Sequence, residues 1–333
     1  TPPRMDGTHP SPLSFVAPRL RFGEGVVGEL PGVLDRLDVA SPLVVTDRGV
    51  RESGVLDEAT AGLDDHEVRE ATTEPATGDF DSLPSEEVDG VVAVGGGSVL
   101  DYAKVVAVLL AHGGHPGEYV GEGKLPGGVA PFVAVPTTSG TGSEVTQTAV
   151  VTHEGVKRGI SDERLRPSFA LVDPHLTYDL PRDVTARAGF DAFVHALEGL
   201  TARDYRWIGE RPITYQGANP VSRPVARRAL GLVHGSLERA VFDGDDRAAR
   251  RGLSLGSCLA ALAHSNSGLG AVHALASAVG GITGRPHGEC LAVSVEPALK
   301  YNLPVRHEEY AAVAAHLGAG DSAAALVAEV TRV

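Results

Sequence analysis

Short apolar runs separated by helical segments fill the first half of the chain. The clearest runs occupy residues 42–47, 91–94, 132–135 and 169–172, and polar residues, proline or glycine end or follow each one. A short run that is apolar throughout is typical of a strand buried on both faces, as in a parallel sheet. Because these runs alternate with helical segments, the sequence predicts an α/β domain with helices on both faces of a parallel sheet. We also expect helices over 48–63 and 79–87, and a hairpin over 149–152 and 155–160.

The sequence changes character near Tyr178, and strand-like runs do not recur beyond it. Segments rich in alanine, leucine and arginine predict helices over residues 184–202, 221–242, 248–264, 269–279 and 290–301. A length of 333 residues favours two domains over one. We therefore predict a disordered or tag-like tail over residues 1–14, an α/β domain over 15–177 and an all-α domain over 178–333.

Composition excludes several classes of partner. The formal net charge of −14 argues against nucleic acid and anionic membrane surfaces. No stretch approaches the roughly 18 apolar residues of a membrane span, and no secretory signal opens the chain. The two cysteines, Cys258 and Cys290, lack metal-type spacing and are interpreted as core residues. This pattern excludes a disulfide framework and favours the reducing cytoplasm.

Two glycine- and hydroxyl-rich loops follow predicted strands. Residues 95–98 read Gly-Gly-Gly-Ser before a helix, and residues 137–142 read Thr-Thr-Ser-Gly-Thr-Gly. Glycines let backbone N–H groups approach phosphate oxygens, and the helix N-terminus adds partial positive charge. Two such loops at the carboxyl ends of strands suggest one crevice for a dinucleotide, although a tight turn explains the first loop equally well.

Two acidic residues near these loops suit a nucleotide. Asp101, in the first turn after the Gly-Gly-Gly-Ser loop, could accept a sugar hydroxyl. Asp47, at the end of an earlier strand, could bind the adenosine ribose and so favour NAD over NADP. Their ordinary interpretations are a helix N-terminal charge and a strand-end cap.

One carboxylate and three imidazoles in the second half form a candidate metal site. Asp191 and His195 are four residues apart in a helical segment and so project from one helix face. His273 lies in an apolar helical run, and His287 follows Pro286 at a turn. Together they make a full ligand set for a borderline divalent cation such as Fe²⁺ or Zn²⁺. Taken singly, each has a plainer interpretation as a core, turn or surface residue, as do Glu144 and Glu198 as surface carboxylates.

The motifs as a set resemble the iron-containing (group III) alcohol dehydrogenases. The matching segments are Gly95-Gly96-Gly97-Ser98-x-x-Asp101-x-x-Lys104, the run 136–145, Leu171-Val172-Asp173-Pro174, Asp191-x-x-x-His195-x-x-Glu198, Gly270-x-x-His273 and Pro286-His287-Gly288. The resemblance covers nearly the whole chain from about residue 15. It implies an N-terminal dinucleotide-binding α/β domain with a helical metal-binding domain, as in the dehydroquinate synthase-like fold.

The resemblance also implies an activity and residue roles. The reaction is hydride transfer between NAD(H) and a small aldehyde or alcohol, assisted by Fe²⁺ or alternatively Zn²⁺. Asp191, His195, His273 and His287 would hold the metal. The implied cofactor contacts are Gly96, Gly97, Ser98, Asp101, Thr137, Thr138, Thr141, Thr148 and Lys157. The family's oligomers are commonly dimers, so a cytoplasmic homodimer is expected.

Three departures from the family pattern bear on function. Many relatives place a second histidine four residues after the third ligand, on a proposed proton path, and Ser277 stands there in this chain. The segment 203–219 is longer than expected and carries Arg203, Arg206 and Arg211, which suit an anionic aldehyde such as a phosphonoacetaldehyde or a semialdehyde. A solvated basic loop is the ordinary interpretation of those arginines. The chain also ends before most relatives do, which suggests a missing C-terminal portion.

Rival functions come from the same superfamily and from outside catalysis. Glycerol-type dehydrogenases, maleylacetate-type reductases and dehydroquinate synthase lyases share the fold. The four-ligand set argues against a metal-free reductase, and the 136–144 loop is more typical of the alcohol dehydrogenase branch. A catalytically idle NAD-binding sensor is the alternative of a different class.

Overall fold

A parallel sheet forms the centre of the N-terminal half. The computed structural model describes residues 13–64, 66–80, 87–208 and 215–333. Its strands are β1 (Arg19–Phe22), β2 (Pro42–Thr46), β3 (Glu67–Glu70), β4 (Gly90–Gly95), β5 (Gly121–Glu122), β6 (Phe132–Pro136), β7 (Thr148–His153), β8 (Val156–Ser161) and β9 (Phe169–Val172). Six of them form one sheet in the order β1-β9-β6-β4-β2-β3, with every pairing parallel. The predicted parallel sheet is confirmed.

Burial along the strands follows their place in the sheet. The inner strands β2, β4, β6 and β9 are buried at every residue, because apolar clusters cover both faces. The edge strands β1 and β3 instead alternate between more and less exposed residues. Sequence runs that are apolar throughout therefore identify the middle of the sheet.

The predicted hairpin is present and belongs to a separate small sheet. Strands β7 and β8 pair antiparallel, and β5 pairs parallel with β8. The hairpin turns at Glu154 and Gly155, whose φ angles of 51° and 76° suit the tight turns that join twisted strands.

The N-terminal helices depart from the sequence prediction at two places. They are α1 (Leu30–Asp35), α2 (Arg48–Glu52), α3 (Val55–Thr60) and α4 (Gly97–His112). The prediction of one helix over 48–63 is wrong, because Gly54 adopts a left-handed φ of 81° and separates α2 from α3. Within 79–87 the structure shows the end of a 3₁₀ turn at Thr77–Phe80, and residues 81–86 lie outside the described part. The predicted tail likewise falls outside it over residues 1–12.

The C-terminal half is helical in its described residues. Its helices are α5 (Arg182–Thr201), α6 (Ser222–Phe242), α7 (Arg247–Ser267), α8 (Ala271–Thr283), α9 (His287–Leu317) and α10 (Ala323–Arg332). They share one apolar core, which includes Cys290, while Cys258 lies in a separate apolar cluster, so both cysteines are core residues as predicted. Helix α9 runs far beyond the predicted 290–301, because it continues through Pro297 and Pro304 to Gly318. None of the helices described has the length and apolarity to cross a membrane.

A loop from the sheet packs against two helices and joins the halves. Val145 and Val172 share an apolar cluster with Cys258 and Ala261 of α7. Ser257 Oγ donates to the Gly140 carbonyl at 3.2 Å, so a side chain of α7 also holds the loop. A Cβ atom on Gly140 would lie 2.8 Å from the Cβ of Ala188 in α5. The close approach of loop and helices sets the position of the sheet's carboxyl edge relative to the helices.

Gly142→Ala is expected to weaken this junction. Gly142 has a left-handed φ of 63°, and a Cβ there would lie 1.9 Å from the Cβ of Ala261. The left-handed strain costs about 1–2 kcal/mol and the overlap costs about 1–3 kcal/mol more. We expect the thermal unfolding midpoint to fall by about 5 °C or more.

Gly54→Ala is the matched control for that variant. Gly54 also has a left-handed φ, of 81°, but a Cβ there would meet no heavy atom within 4 Å. The Gly54 variant should lose only the unfolding free energy that the left-handed strain costs, about 1–2 kcal/mol. Equal midpoints for the two variants would contradict the tight junction.

Candidate active site

Three helices place the four predicted metal ligands together. Asp191 and His195 lie one turn apart on α5, His273 lies in the first turn of α8, and His287 is the first residue of α9. The Oδ1 atom of Asp191 lies 3.2 Å from His273 Nε2. The same oxygen lies 3.5 Å from His195 Nε2 and 3.8 Å from His287 Nε2. Side chains separated by nearly a hundred residues thus share one carboxylate oxygen.

The donor set fits a divalent cation. The ligand atoms of Asp191, His273 and His287 all lie within 4.8 Å of one another. The His195 ring stacks on the His273 ring with centroids 4.5 Å apart, so His195 belongs to the same cluster. One carboxylate and three imidazoles form a chemically suitable site for Fe²⁺ or Zn²⁺.

Glu198 orients the His273 ring. Its Oε2 lies 2.7 Å from His273 Nδ1, which leaves Nε2 directed at Asp191. Its Oε1 accepts from the backbone N–H of Val272 at 2.7 Å, so the carboxylate also caps α8. Glu198 is 5 % exposed, and the surface interpretation of this residue is wrong. A carboxylate behind a ligating histidine is the usual support of a metal site.

Burial and mutual charge set the protonation of the cluster. Burial lowers the pKa of His195 to about 4 and also lowers the pKa of His287. Burial opposes charge on Asp191, yet the three surrounding imidazoles hold its pKa well below the usual range. His273 is the exception: burial lowers its pKa, but hydrogen bonds to Asp191 and Glu198 outweigh burial and raise it to about 9. At neutral pH the cluster therefore offers a carboxylate, two neutral imidazoles and one protonated imidazole.

The cluster opens into a cavity of about 440 Å³ that reaches the sheet. Its lining combines the metal donors with six of the predicted cofactor residues. They are Gly97, Ser98, Asp101, Thr141, Thr148 and Lys157, and Ser277 lines the same cavity. The structure thus brings the two predicted sites into one cleft.

The N-terminus of α4 forms the phosphate-type end of this cleft. Gly96 is the N-cap, and within the described residues no side-chain cap hydrogen bond forms at this helix start. A Cβ atom on Gly97 would lie 2.6 Å from Thr141 Cγ2, so only glycine lets the second loop approach this closely. An uncapped helix N-terminus at the edge of a parallel sheet is a suitable anion site.

The other predicted cofactor residues lie around this edge without lining the cavity. Gly96, Thr137 and Thr138 follow β4 and β6, and Asp47 follows β2. Asp47 Oδ1 accepts from Val50 N–H at 2.9 Å, so its ordinary interpretation as a cap is correct. A ribose contact at Asp47 stays a prediction.

Asp101 is held by the protein itself. Its Oδ1 accepts from Ser143 Oγ at 2.6 Å, and its Oδ2 accepts from Val150 N–H at 3.0 Å. Buried Lys104 Nζ donates to Ser143 Oγ at 2.7 Å and to Thr146 Oγ1 at 3.0 Å. This network ties α4 to the second loop, and a sugar contact by Asp101 stays a prediction.

Glu144 is buried beside that network. It is 3 % exposed, so its surface interpretation is wrong, and burial raises its pKa to about 7. Burial likewise lowers the pKa of Lys104 to about 8. Sequence reasoning quoted Lys104 only as part of a motif and assigned it no role.

Two of the three predicted substrate arginines, Arg203 and Arg206, do not line the cleft. Arg203 is exposed, and Arg206 forms a bidentate pair with Asp204 at 2.7 and 3.1 Å. Neither is among the described residues that line the cavity. Arg211 lies outside the described residues. Their role in substrate binding stays a prediction.

Two cleft residues were not singled out from the sequence. Tyr215 Oη lies 2.7 Å from Thr148 Oγ1, and His264 stacks on His195. Tyr215 lies in the segment between α5 and α6, where no hydrophobic periodicity predicts which way a side chain points. His264 is one of thirteen histidines and has no motif around it.

The fold and the donor cluster define a class of protein. A parallel α/β domain with an open helix N-terminus meets a helical domain with a carboxylate–imidazole metal site, which is the architecture of a metal-dependent, nucleotide-dependent oxidoreductase. Residues 17–174 match the model of iron-containing alcohol dehydrogenase, and residues 185–332 match that of the Fe-containing alcohol dehydrogenase family, C-terminal. The chain belongs to the iron-containing alcohol dehydrogenase family.

Individual relatives agree with this assignment. The chain is 33 % identical over 329 residues to the NAD-dependent methanol dehydrogenase of Bacillus methanolicus, covering 96 % of this chain and 83 % of the relative. A solved structure of 1,3-propanediol oxidoreductase superposes with a TM-score of 0.89 at 32 % identity, covering 97 % of this chain and 86 % of that one. The sulfoacetaldehyde reductase of Bifidobacterium kashiwanohense in complex with NAD⁺ superposes with a TM-score of 0.85 at 27 % identity, covering 97 % and 85 %. The family, the fold and the enzyme class, an NAD-dependent alcohol dehydrogenase, are confirmed.

Glu198→Gln is expected to weaken metal binding. An amide cannot hold the His273 imidazole as a carboxylate does, so affinity for Zn²⁺ should fall about 10- to 100-fold. Competition with a chelating dye measures that affinity on metal-free protein. Glu238→Gln, which alters an exposed carboxylate paired with Arg332, should leave it unchanged. An unaltered affinity in the Glu198 variant would contradict the orienting role.

Metal uptake should also release a proton. Below pH about 9 the His273 imidazole of the metal-free protein is protonated, and a cation can bind Nε2 only after that proton leaves. Apparent affinity should therefore rise about tenfold per pH unit up to pH about 9 and level off above it. Calorimetry at pH 7 in buffers of different ionisation enthalpy measures the released protons. Uptake with no proton release at pH 7 would refute the assignment.

Proposed function

We propose that this enzyme interconverts small neutral primary alcohols and aldehydes, with NAD(H) as hydride carrier and a divalent cation held by Asp191, His195, His273 and His287. The observation that carries the proposal is a single cleft. The four donors line the same cavity as the uncapped start of α4. A ligand that spans this cleft can place its phosphate end and its reacting end at the two sites together.

Each bound group supplies a defined chemistry. The cation supplies Lewis-acid polarisation of the substrate oxygen, and Fe²⁺ is proposed over Zn²⁺ on the family's name. The nicotinamide supplies the hydride.

The protein's own residues position these groups. Backbone N–H groups at Gly97 and Ser98 bind the pyrophosphate, and Thr141 closes over them. Thr148, fixed by Tyr215, and Lys157 line the cavity between the two ends. Ser277 lines the cavity too and stays the candidate for proton delivery.

The cleft favours a neutral over an anionic substrate. Lys157 and Arg158 line it, but Lys157 Nζ donates to Glu74 Oε1 at 2.7 Å. Asp101 places a further carboxylate in the lining. Relatives are named for methanol and 1,3-propanediol, which are neutral, and for sulfoacetaldehyde, which is anionic. The pairing of Lys157 with Glu74 supports the neutral class, and aldehyde reduction is the proposed direction.

The remaining alternatives differ in measurable ways. A glycerol-type or maleylacetate-type reductase would turn over its own substrate in preference to simple alcohols. A non-catalytic NAD-binding sensor would bind cofactor without turnover. The cytoplasmic homodimer also stays a prediction, which sedimentation of the purified protein can test.

Anaerobic purification with metal analysis, followed by an NADH-oxidation screen over neutral, carboxylated and phosphonylated aldehydes, tests the proposal. We expect about one metal ion per chain and the highest kcat/KM with neutral aldehydes. Preference for carboxylated or phosphonylated aldehydes would refute the neutral class, and NADH binding without turnover would support the sensor.

Asp191→Asn should abolish metal-assisted turnover selectively. Removing the shared carboxylate should lower kcat about 1,000-fold or more, equivalent to about 4 kcal/mol, while the dissociation constant for NADH changes little. Asp183→Asn is the matched control, because Asp183 lies on the same helix and is exposed. Full activity of the Asp191 variant would refute the site.

A further inference from the structure

His264 is a fifth imidazole in the metal cleft. It lies on α7, is 6 % exposed, and lines the cavity beside the metal donors. Its ring stacks on the ring of His195 with centroids 4.2 Å apart and planes 18° apart. The main chain of His264 is packed closely as well, since a Cβ on Gly199 would lie 3.3 Å from its Cα. The stack on His195 therefore sets the plane of this ring.

Both ring nitrogens of His264 are buried without a hydrogen-bond partner among the described residues. The Thr141 carbonyl lies near enough to favour a proton on the ring, but it does not reach hydrogen-bonding geometry with either nitrogen. A single carbonyl could in any case serve only one of the two nitrogens. Leaving a buried polar group unsatisfied costs about 1–3 kcal/mol. A phenyl ring of similar shape would fill the same space without that cost, so packing alone does not explain a histidine here.

We propose that His264 is a ligand-binding residue whose free ring nitrogen hydrogen-bonds a neutral group that can both donate and accept. Under the proposed function, two groups of this kind would enter the cleft. They are a second hydroxyl of the substrate and the carboxamide of the nicotinamide. Either group suits both tautomers of a neutral imidazole, because each carries a donor and an acceptor. The inference rests on the proposed function for the identity of these ligands.

His264→Phe separates ligand binding from packing. It keeps the aromatic stack on His195 and removes only the polar edge. The thermal unfolding midpoint of the ligand-free protein should stay constant or rise, because two unsatisfied buried groups disappear. Metal content should also stay constant. His307→Phe, at an exposed histidine of α9, is the control for replacing a histidine by phenylalanine.

Ligand affinities identify the source of the hydrogen bond. If the source is the substrate, His264→Phe should lower kcat/KM for 1,3-propanediol about tenfold more than for propan-1-ol. If the source is the carboxamide, the NADH dissociation constant measured by fluorescence should rise about tenfold, with equal losses for both alcohols. The inference would be overturned if the preference between the two alcohols and the NADH dissociation constant both stayed unchanged. It would also be overturned if the unfolding midpoint fell while neither ligand measurement changed.

His264→Asn keeps the experiment informative if the phenylalanine variant does not fold. The asparagine amide also donates and accepts a hydrogen bond, so this variant should keep part of the affinity for the affected ligand. If His264→Asn binds that ligand no more tightly than His264→Ala does, the inference is overturned. If the parent enzyme shows no turnover, the proposed function fails. The NADH dissociation constants of the parent, His264→Phe and His264→Asn proteins then decide the inference alone, and an unchanged constant overturns it.

Discussion

The buried charge of Asp191 is the constraint on which the site depends. An ionised carboxylate removed from water is costly unless groups of opposite charge or hydrogen-bond donors surround it. Here imidazoles from three helices approach one carboxylate oxygen, and protonated His273 compensates the charge in the metal-free protein. A divalent cation replaces that proton with a larger charge. The helices α5, α8 and α9 are therefore held together by electrostatics as well as by their apolar core.

The nucleotide half is organised around a second buried charge. Lys104 lies wholly within the protein and joins α4 to the second loop through Ser143, Thr146 and the Thr148 carbonyl. The same loop packs against α5 and α7, which carry Asp191, His195 and His264. Movement of α4 is thus coupled mechanically to the helices of the metal site.

Patterns that repeat locally could be predicted from the sequence alone, and contacts between distant residues could be predicted where the motifs resembled those of a known family. The inner strands were predicted because uniform apolarity is a local signal, and the four candidate metal donors were placed together by their resemblance to a family pattern. The break at Gly54 was missed because it depends on a single backbone angle. Helix α9 was predicted too short because Pro304, just beyond the predicted end at residue 301, normally ends a helix. His264 has no local sign, since its partner His195 lies 69 residues away and only tertiary packing brings them together.

The four proposed metal ligands differ in their access to solvent. The side chain of His287 is 38 % exposed, whereas those of Asp191, His195 and His273 are 6 %, 7 % and 9 % exposed. His287 also begins its helix directly after Pro286, with no helical turn before it to restrain the ring. Dissociation of this one imidazole would open a coordination position toward water while the other three ligands stay in place. Ion exchange and attack by chelators or peroxide should therefore begin on the α9 side, which would make the stability of that helix start a determinant of how long the site retains a bound ion.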